Sequence, residues 1–380
     1  MQTPLDILAL EPWLGGSHEA FLRGFGARTR HSLEVVGLAS RHWKWRMRSS
    51  AWELARRLHG RAPPDLLLAS DYVDLPALFG FLPRGWDAVP AIVYMHENQL
   101  TYPLGEGADA AVRDTSYGFT NVLSCLRAEA LVFNSDFHRR EFGAAAGELL
   151  RRLPRPNPAS ELRAKLAAAR VVAPGVDLGP EDLAAPNAPG TPLRVAFNHR
   201  WEHDKDPRAF LEACLAARAR GARLELVLLG ERFGALPAGT PELLERLRPA
   251  ILHSGYLPVR EDYRSALAGC DLALSTAQHE FFGISTVEAL AAGVTPLLPN
   301  RLSYPEVVGP ALRRRTLYGS PGELVERLCQ HAEDPAPLRE RTWREALRQA
   351  ARPCSVESTA AALDTLCLEV RDKSAALPQD

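Results

Sequence analysis

The sequence predicts an α/β fold with two doubly wound parallel sheets, and three observations predict it. Short apolar runs recur through both halves, separated by stretches of helical period. A segment rich in Pro, Ala, Gly and Asp, Pro174 to Pro192, separates the two series and has no apolar period. The chain has 380 residues, more than one ordinary α/β core takes and enough for two.

In the first series, strands are expected at Leu5–Leu10, Leu33–Leu38, Asp65–Ser70, Ala91–Met95 and Ala130–Asn134. Gly15-Gly16-Ser17 reads as a turn with a helix from His18, and Ser135 as the cap of the helix after the fifth strand. After the linker, strands are expected at Leu193–Phe197, Leu224–Leu229, Ile251–Tyr256, Asp271–Thr276 and Thr295–Leu298, with helices from Pro207 and up to Gly293. From about Pro335 the chain reads as amphipathic helix almost to its end. The expected division is 1–180, 181–345 and a helical segment 346–380 that packs back on the first domain. Two such Rossmann-like domains facing each other would bind a ligand at the carboxyl ends of both sheets.

Composition narrows the function. Hydrophobic residues make up 46% and charged residues 24%, ordinary for a globular protein. No apolar run reaches the roughly 18 residues that span a bilayer, so no stable membrane insertion is expected. The start, Met1-Gln2-Thr3-Pro4, leads directly into a strand without a signal-peptide pattern, and the six cysteines are scattered without a C-x-x-C pair. Both point to reduced thiols in a cytoplasmic protein. A net charge of -1 excludes a uniformly basic nucleic-acid binder. Yet Arg41 to Arg61 holds seven Arg or Lys against one acid, and Arg139 to Arg170 eight against three. Two basic patches on a neutral chain suffice to bind a polyanion locally.

The chemistry concentrates at strand ends. His279 to Leu290 runs from a strand into a helix, with Glu280 just before the helix and Glu288 more than a turn inside it. A helix N-terminus offers unpaired N–H groups and partial positive charge, suited to phosphate, so Gly283, Ile284 and Ser285 are candidate donor-binding positions. Glu288 suits ribose hydroxyls and Glu280 the hydroxyls of a sugar, while Gly283 lets the ligand approach the backbone. The plainer alternative is two acids on a helix and its entry. Asn198 to Pro207 closes the first strand of the second series, and Arg200 and Lys205 there would neutralise a diphosphate, Arg as a fork and Lys as a point charge.

His199-x-x-Glu202-His203 matches a zinc-peptidase pattern. That chemistry needs both histidines on one helix, and here they follow a strand, so no metal is expected. Asp204-x-Asp206 resembles a metal-binding D-x-D, but Lys205 between them competes with a cation, and Asp206 suits a helix cap. Gly15 and Gly16 end the first strand and would let substrate approach. His96 ends the fourth strand, placed either to bond a transferred sugar or to serve as a satisfied structural residue. Trp43, Lys44, Trp45, Arg46 and Arg48 interleave cations with indoles, as a single-stranded RNA loop requires; a lid or helix with core tryptophans is the alternative.

Glu280 and Glu288, with Arg200 and Lys205, resemble the retaining glycosyltransferases of GT-B architecture. The resemblance extends to Gly15-Gly16-Ser17-His18, Trp43-Lys44-Trp45-Arg46, His96-Glu97-Asn98-Gln99, His199-Arg200-Trp201-Glu202-His203-Asp204-Lys205-Asp206-Pro207 and His279-Glu280-Phe281-Phe282-Gly283. Together these blocks are similar to the tRNA-queuosine alpha-mannosyltransferase family. The resemblance implies transfer of mannose from GDP-mannose, a nucleotide sugar, to queuosine at the wobble position of tRNA-Asp, with retention. It implies diphosphate contacts from Arg200 and Lys205, ribose contacts from Glu288, mannose contacts from Glu280 and the Gly283 backbone, and a catalytic role for His96 beside the sugar. It requires no cofactor or metal and makes the Trp43 segment a tRNA contact. The alternatives are another acceptor, lipid or small molecule, and a non-catalytic RNA-binding module on this fold.

Overall fold

The computed structural model describes residues 3–103, 113–232 and 236–376. The chain forms two compact units. The first runs to Val176 and resumes at Cys354; the second is Asp177–Pro353.

The first unit is built on six strands: β1 (Asp6–Leu14), β2 (Ser32–Ala39), β3 (Leu66–Ser70), β4 (Ala91–Met95), β5 (Ala130–Phe133) and β6 (Arg170–Val171). All pair in parallel, in the order β2-β1-β3-β4-β5-β6. Every residue of β3 and β4 is buried, because helices cover both faces and leave no solvated side to alternate with. Alternate residues serve opposite faces. Leu8, Leu67, Val93 and Met95 face one core with Leu54 and Phe142. Ile7, Leu68, Ile92 and Tyr94 face the other with Phe21 and Phe25, and this second core is closed by Leu363, Leu366 and Cys367 of the helix Val356–Ala375.

The second unit carries β7 (Leu193–Phe197), β8 (Leu224–Leu228), β9 (Ile251–Ser254), β10 (Leu272–Leu274), β11 (Thr295–Pro299) and β12 (Leu317–Tyr318). These too are parallel, ordered β12-β11-β10-β7-β8-β9. The series starts at β7, moves outward through β8 and β9, and then reverses to the other side of β7. Such a reversal opens a crevice at the carboxyl ends of β7 and β10.

The differences from expectation are local. β1 continues past Leu10 to Leu14, and the helix begins at Gly16 and not His18. Leu14 pairs with Ala39 after an irregularity at Glu11, and Gly37 leaves the space that Leu14 fills. β10 is shorter than Asp271–Thr276 at both ends: past it Thr276 Oγ1 donates to Lys205 O at 3.1 Å and Asp206 O at 2.8 Å, and before it stands Asp271. Its carboxylate accepts from Arg194 N at 2.9 Å and from Arg339 Nε and Nη2 at 2.8 and 2.9 Å. β6 and β12 have two residues each, too few for any period to register. The segment after His42 is a helix, Trp43–Leu58.

The Arg339–Asp271 pair is almost wholly buried and fastens the helix Ala336–Arg339 to the sheet. Arg339→Ala leaves that carboxylate short of two charged donors. The expected cost is about 3 kcal/mol, read as an earlier urea transition of the second unit; an unshifted transition would show that the pair contributes nothing.

Candidate functional site

The reversal between β7 and β10 brings two predicted loops together. β7 leads through Asn198, His199 and Arg200 into a 3-10 turn, His203–Lys205, before the helix Pro207–Ala219. Asp206 caps that helix, its carboxylate accepting from Ala209 N at 3.1 Å. β10 leads through His279 and Glu280 to the helix Ile284–Ala291. The loops are stitched by backbone: Asp204 O accepts from Gln278 N at 2.7 Å and from His279 N at 3.2 Å.

Lys205 is the main side-chain link. Its Nζ lies 3.0 Å from Asp204 Oδ2, 3.2 Å from Glu280 Oε2 and 2.9 Å from His279 O, with 10% of the side chain exposed. Burial disfavours its charge, but Glu280 and then Asp204 raise its pKa above the ordinary lysine range. Burial pushes Glu280 up, while Lys205 and then His199 pull it down, and the net position is below the usual carboxylate value. Asp204 is lowered by the same balance, burial against Lys205. The Asp204 carboxylate is thus engaged by Lys205 and not left open to a cation. His199 is buried, donates to or accepts from Ser285 Oγ at 3.1 Å, and is held near pKa 4 by burial and then by Lys205. It is neutral at pH 7. Arg200 is exposed, 3.0 Å from Glu202.

Gly283 starts the second helix at φ 101, a left-handed conformation that favours glycine, and no side chain caps the first turn. The N–H groups of Ile284 and Ser285 lie at this end. Glu288 is held from two sides, accepting from Tyr263 OH at 2.6 Å and pairing with Arg260 at 2.8 Å. Asn198 Nδ2 bonds both Tyr263 OH and Ser285 O, joining the strand end to the helix start. Sequence reasoning missed Tyr263, Arg260 and Asn198 as partners, because they lie on separate segments and only the reversal assembles them.

The remaining predicted residues fall in the first unit. Gly15 is extended, and a Cβ there would sit 2.4 Å from Ser40 Oγ; Gly16 has φ 55. His96 follows β4 and stacks on His18 at 4.1 Å, with its N–H donating to Asp71 Oδ1 at 2.9 Å. Burial, then His18, holds its pKa well below the ordinary histidine value. Burial also opposes a charge on His18, yet Glu11 at 3.0 Å lifts it to about 9. On the helix Trp43–Leu58, Trp43 and Trp45 are 36% and 60% exposed, and Lys44 and Arg48 are exposed as well. Arg48 lies over the Tyr117 ring at 4.4 Å, and Trp43 packs on the same ring at 5.3 Å. Arg46 departs from this set. It is buried, its guanidinium bonded to both Glu53 oxygens and to Ala39 O, so it secures the helix to β2.

Residues 6–176 match the family model described as tRNA-queuosine alpha-mannosyltransferase N-terminal, and residues 180–349 match Glycosyl transferases group 1. The tRNA-queuosine alpha-mannosyltransferase of Drosophila melanogaster is 30% identical over 342 residues, 88% of each chain. A GDP-mannose-dependent alpha-(1-6)-phosphatidylinositol dimannoside mannosyltransferase of Mycobacterium tuberculosis is 26% identical over 315 residues, 80% of this chain and 76% of its own. Among solved structures, sucrose-phosphate synthase of Thermosynechococcus elongatus superposes with a TM-score of 0.70 at 14% identity, covering 97% of this chain and 100% of that one. That likeness shows the fold, two Rossmann-like domains of the GT-B kind.

The Asp204–Lys205–Glu280 cluster makes stability depend on pH. Both carboxyls titrate below their ordinary values when folded. Their contribution is therefore complete above about pH 4.5 and is lost as pH falls through the lowered values. Lys205→Met leaves two carboxylates without their cation, an expected loss of about 3 kcal/mol at pH 7. Denaturant titrations across pH should show the gap between wild type and variant shrinking below pH 4.5; a constant gap would mean that the cluster is not the source.

Proposed function

The chain belongs to the tRNA-queuosine alpha-mannosyltransferase family, and from that membership we propose that it transfers mannose from GDP-mannose to queuosine in the anticodon of tRNA-Asp, with retention at the sugar carbon. The observation that carries the donor half is the assembly at the ends of β7 and β10: Lys205 held beside Glu280, next to the uncapped helix start at Gly283. The GDP-mannose-dependent relative supports the choice of donor.

In this mechanism the diphosphate enters at the Ile284 and Ser285 N–H groups and meets Arg200. It takes over the Lys205 ammonium, which releases Glu280 toward the mannose hydroxyls. Glu288 receives the ribose, its orientation fixed by Tyr263 and Arg260. As the glycosidic bond breaks, charge grows on GDP, and Arg200, Lys205 and the helix end stabilise it. The acceptor hydroxyl attacks from the face the leaving group vacates, its proton passing to the departing diphosphate oxygen, without a covalent sugar–enzyme intermediate. A trapped adduct would overturn that step. The domain 1–180, which carries Gly15, Gly16 and His96, serves the acceptor side, and 181–345 binds the nucleotide sugar. Trp43, Lys44, Trp45 and Arg48 contact tRNA. No helix among the described residues is long and apolar enough to cross a membrane, which fits an acceptor met in the cytoplasm.

Incubation with GDP-mannose and queuosine-containing tRNA, followed by nucleoside mass analysis, should show the gain of one hexose. Transfer to a lipid or small molecule and none to tRNA would overturn the acceptor and leave the enzyme class. Glu288→Gln weakens charged hydrogen bonds to ribose, so KM for the donor should rise roughly tenfold with kcat nearly kept. Trp45→Ala should raise KM for tRNA by about 1–3 kcal/mol of lost stacking without altering its salt dependence, whereas Arg48→Ala should flatten that dependence.

A further inference from the structure

Among the described residues, three other than glycine have a left-handed backbone: His42 at φ 56, Asp206 at φ 48 and Leu302 at φ 60. Such backbone is strained for an L side chain and persists only where the surroundings fix it. Two of the three flank the loop that carries Glu280. Asp206 stands on the β7 side, where its Oδ2 accepts from Gln278 Nε2 at 2.8 Å and its carbonyl from Thr276 Oγ1 at 2.8 Å. Leu302 stands in the segment that leaves β11. An aspartate tolerates this backbone because its side chain can bond locally, as the Asp206 cap does; leucine has no such bond to offer.

The Glu280 loop, 277–283, is neither strand nor helix, so its backbone groups need partners from elsewhere. The Gln278 and His279 N–H groups go to Asp204 O, and the His279 carbonyl goes to Lys205. The carbonyls of Ala277, Glu280 and Phe282 go to the Leu302 segment. Arg301 Nη2 donates to Ala277 O at 3.0 Å. Ser303 Oγ donates to Phe282 O at 2.8 Å, and Glu280 O shares the same proton at 3.3 Å. Ser303 is 0% exposed, which shields these bonds from water. Tyr304 continues the clamp. Its OH bonds Ser275 Oγ at 2.7 Å, and its ring lies 3.4 Å from where a Cβ on Gly283 would stand. Arg301 is exposed and Ser303 buried, yet both reach one loop, and the turn at Leu302 lies between them. A change of backbone basin at Leu302 rotates the chain after it and would carry Ser303 away from Phe282.

We propose that Ser303, set by the left-handed Leu302, is a positioning residue for Glu280. It holds the peptide groups that follow Glu280 and so aims that carboxylate at the sugar of the donor. The inference rests on the reading above in which Glu280 meets the mannose. In that mechanism Glu280 gives up Lys205 when the diphosphate enters, and the Ser303 bonds then keep its backbone in place.

GDP and GDP-mannose are titrated by calorimetry into the full chain, wild type and variants, and the ratio of the two affinities reports on the sugar alone. Glu280→Gln should lower GDP-mannose affinity roughly tenfold and leave GDP within about twofold. Ser303→Ala should lower the ratio roughly fivefold, again with GDP affinity kept. A merely structural role would weaken both ligands together. Added to Glu280→Gln, Ser303→Ala should have no further effect on the ratio, because both act through one carboxylate. Leu302→Gly, which admits the left-handed turn, should keep the wild-type ratio, whereas Leu302→Val, whose branched side chain resists it, should behave as Ser303→Ala. An unchanged ratio in Ser303→Ala, or additive effects of the two substitutions, overturns the proposal, and a wild-type ratio in Leu302→Val overturns the role of the turn. If Glu280→Gln itself leaves the ratio unchanged, the reading of Glu280 as the partner of the sugar fails and the positioning role falls with it. If Glu280→Gln lowers the ratio and Ser303→Ala does not, the positioning role alone fails.

Discussion

Lys205 keeps a full charge in a place nearly closed to water, and the second unit is organised around that fact. Its ammonium is tolerable only because Asp204, Glu280 and the His279 carbonyl surround it. Those partners come from both sides of the reversal, so the charge fixes the loop after β7 against the loop after β10. The helix start at Gly283, the His199–Ser285 bond and the Asn198–Tyr263–Glu288 chain all depend on that registration. Hydrophobic packing builds the sheet; electrostatics sets the geometry of its working edge.

The two sheets reach similar architectures by different strand orders, and different side chains stand at their reversals. The second unit offers an ammonium paired with the Asp204 and Glu280 carboxylates, an exposed guanidinium and a helix N-terminus. The first offers carboxyls with one imidazolium among them. The proposed binding of the nucleotide sugar by the second unit rests on the groups that stand at the ends of β7 and β10.

Most of the fold was legible because fully buried parallel strands leave continuous apolar runs; Ala91–Met95 and Leu193–Phe197 appear at the expected residues. Glu280, Glu288, Arg200 and Lys205 were legible as charges flanking a strand end. Their pairing was not, since Lys205 with Asp204, or Glu288 with Tyr263, depends on loop conformation and carries no local pattern. Arg46 shows the same limit. Its sequence neighbours suggest a surface cation, and only helical phase turns it inward toward Glu53. Glu11 and Asp71 border apolar runs, a weak signal that becomes meaningful once β1 and β3 are adjacent.

The helix Val356–Ala375 belongs to the first unit, although the whole second unit intervenes in sequence. At the junction Val176 bonds to Cys354 and Val356, so the outgoing and returning chain run side by side. This gives biosynthesis an inverted order. A ribosome completes the second unit while the core around Phe21, Phe25 and Tyr94 still lacks Leu363, Leu366 and Cys367. The nascent first unit therefore exposes an apolar face until the helix Val356–Ala375 emerges, and truncation within that helix would strike a unit whose strands precede the second unit.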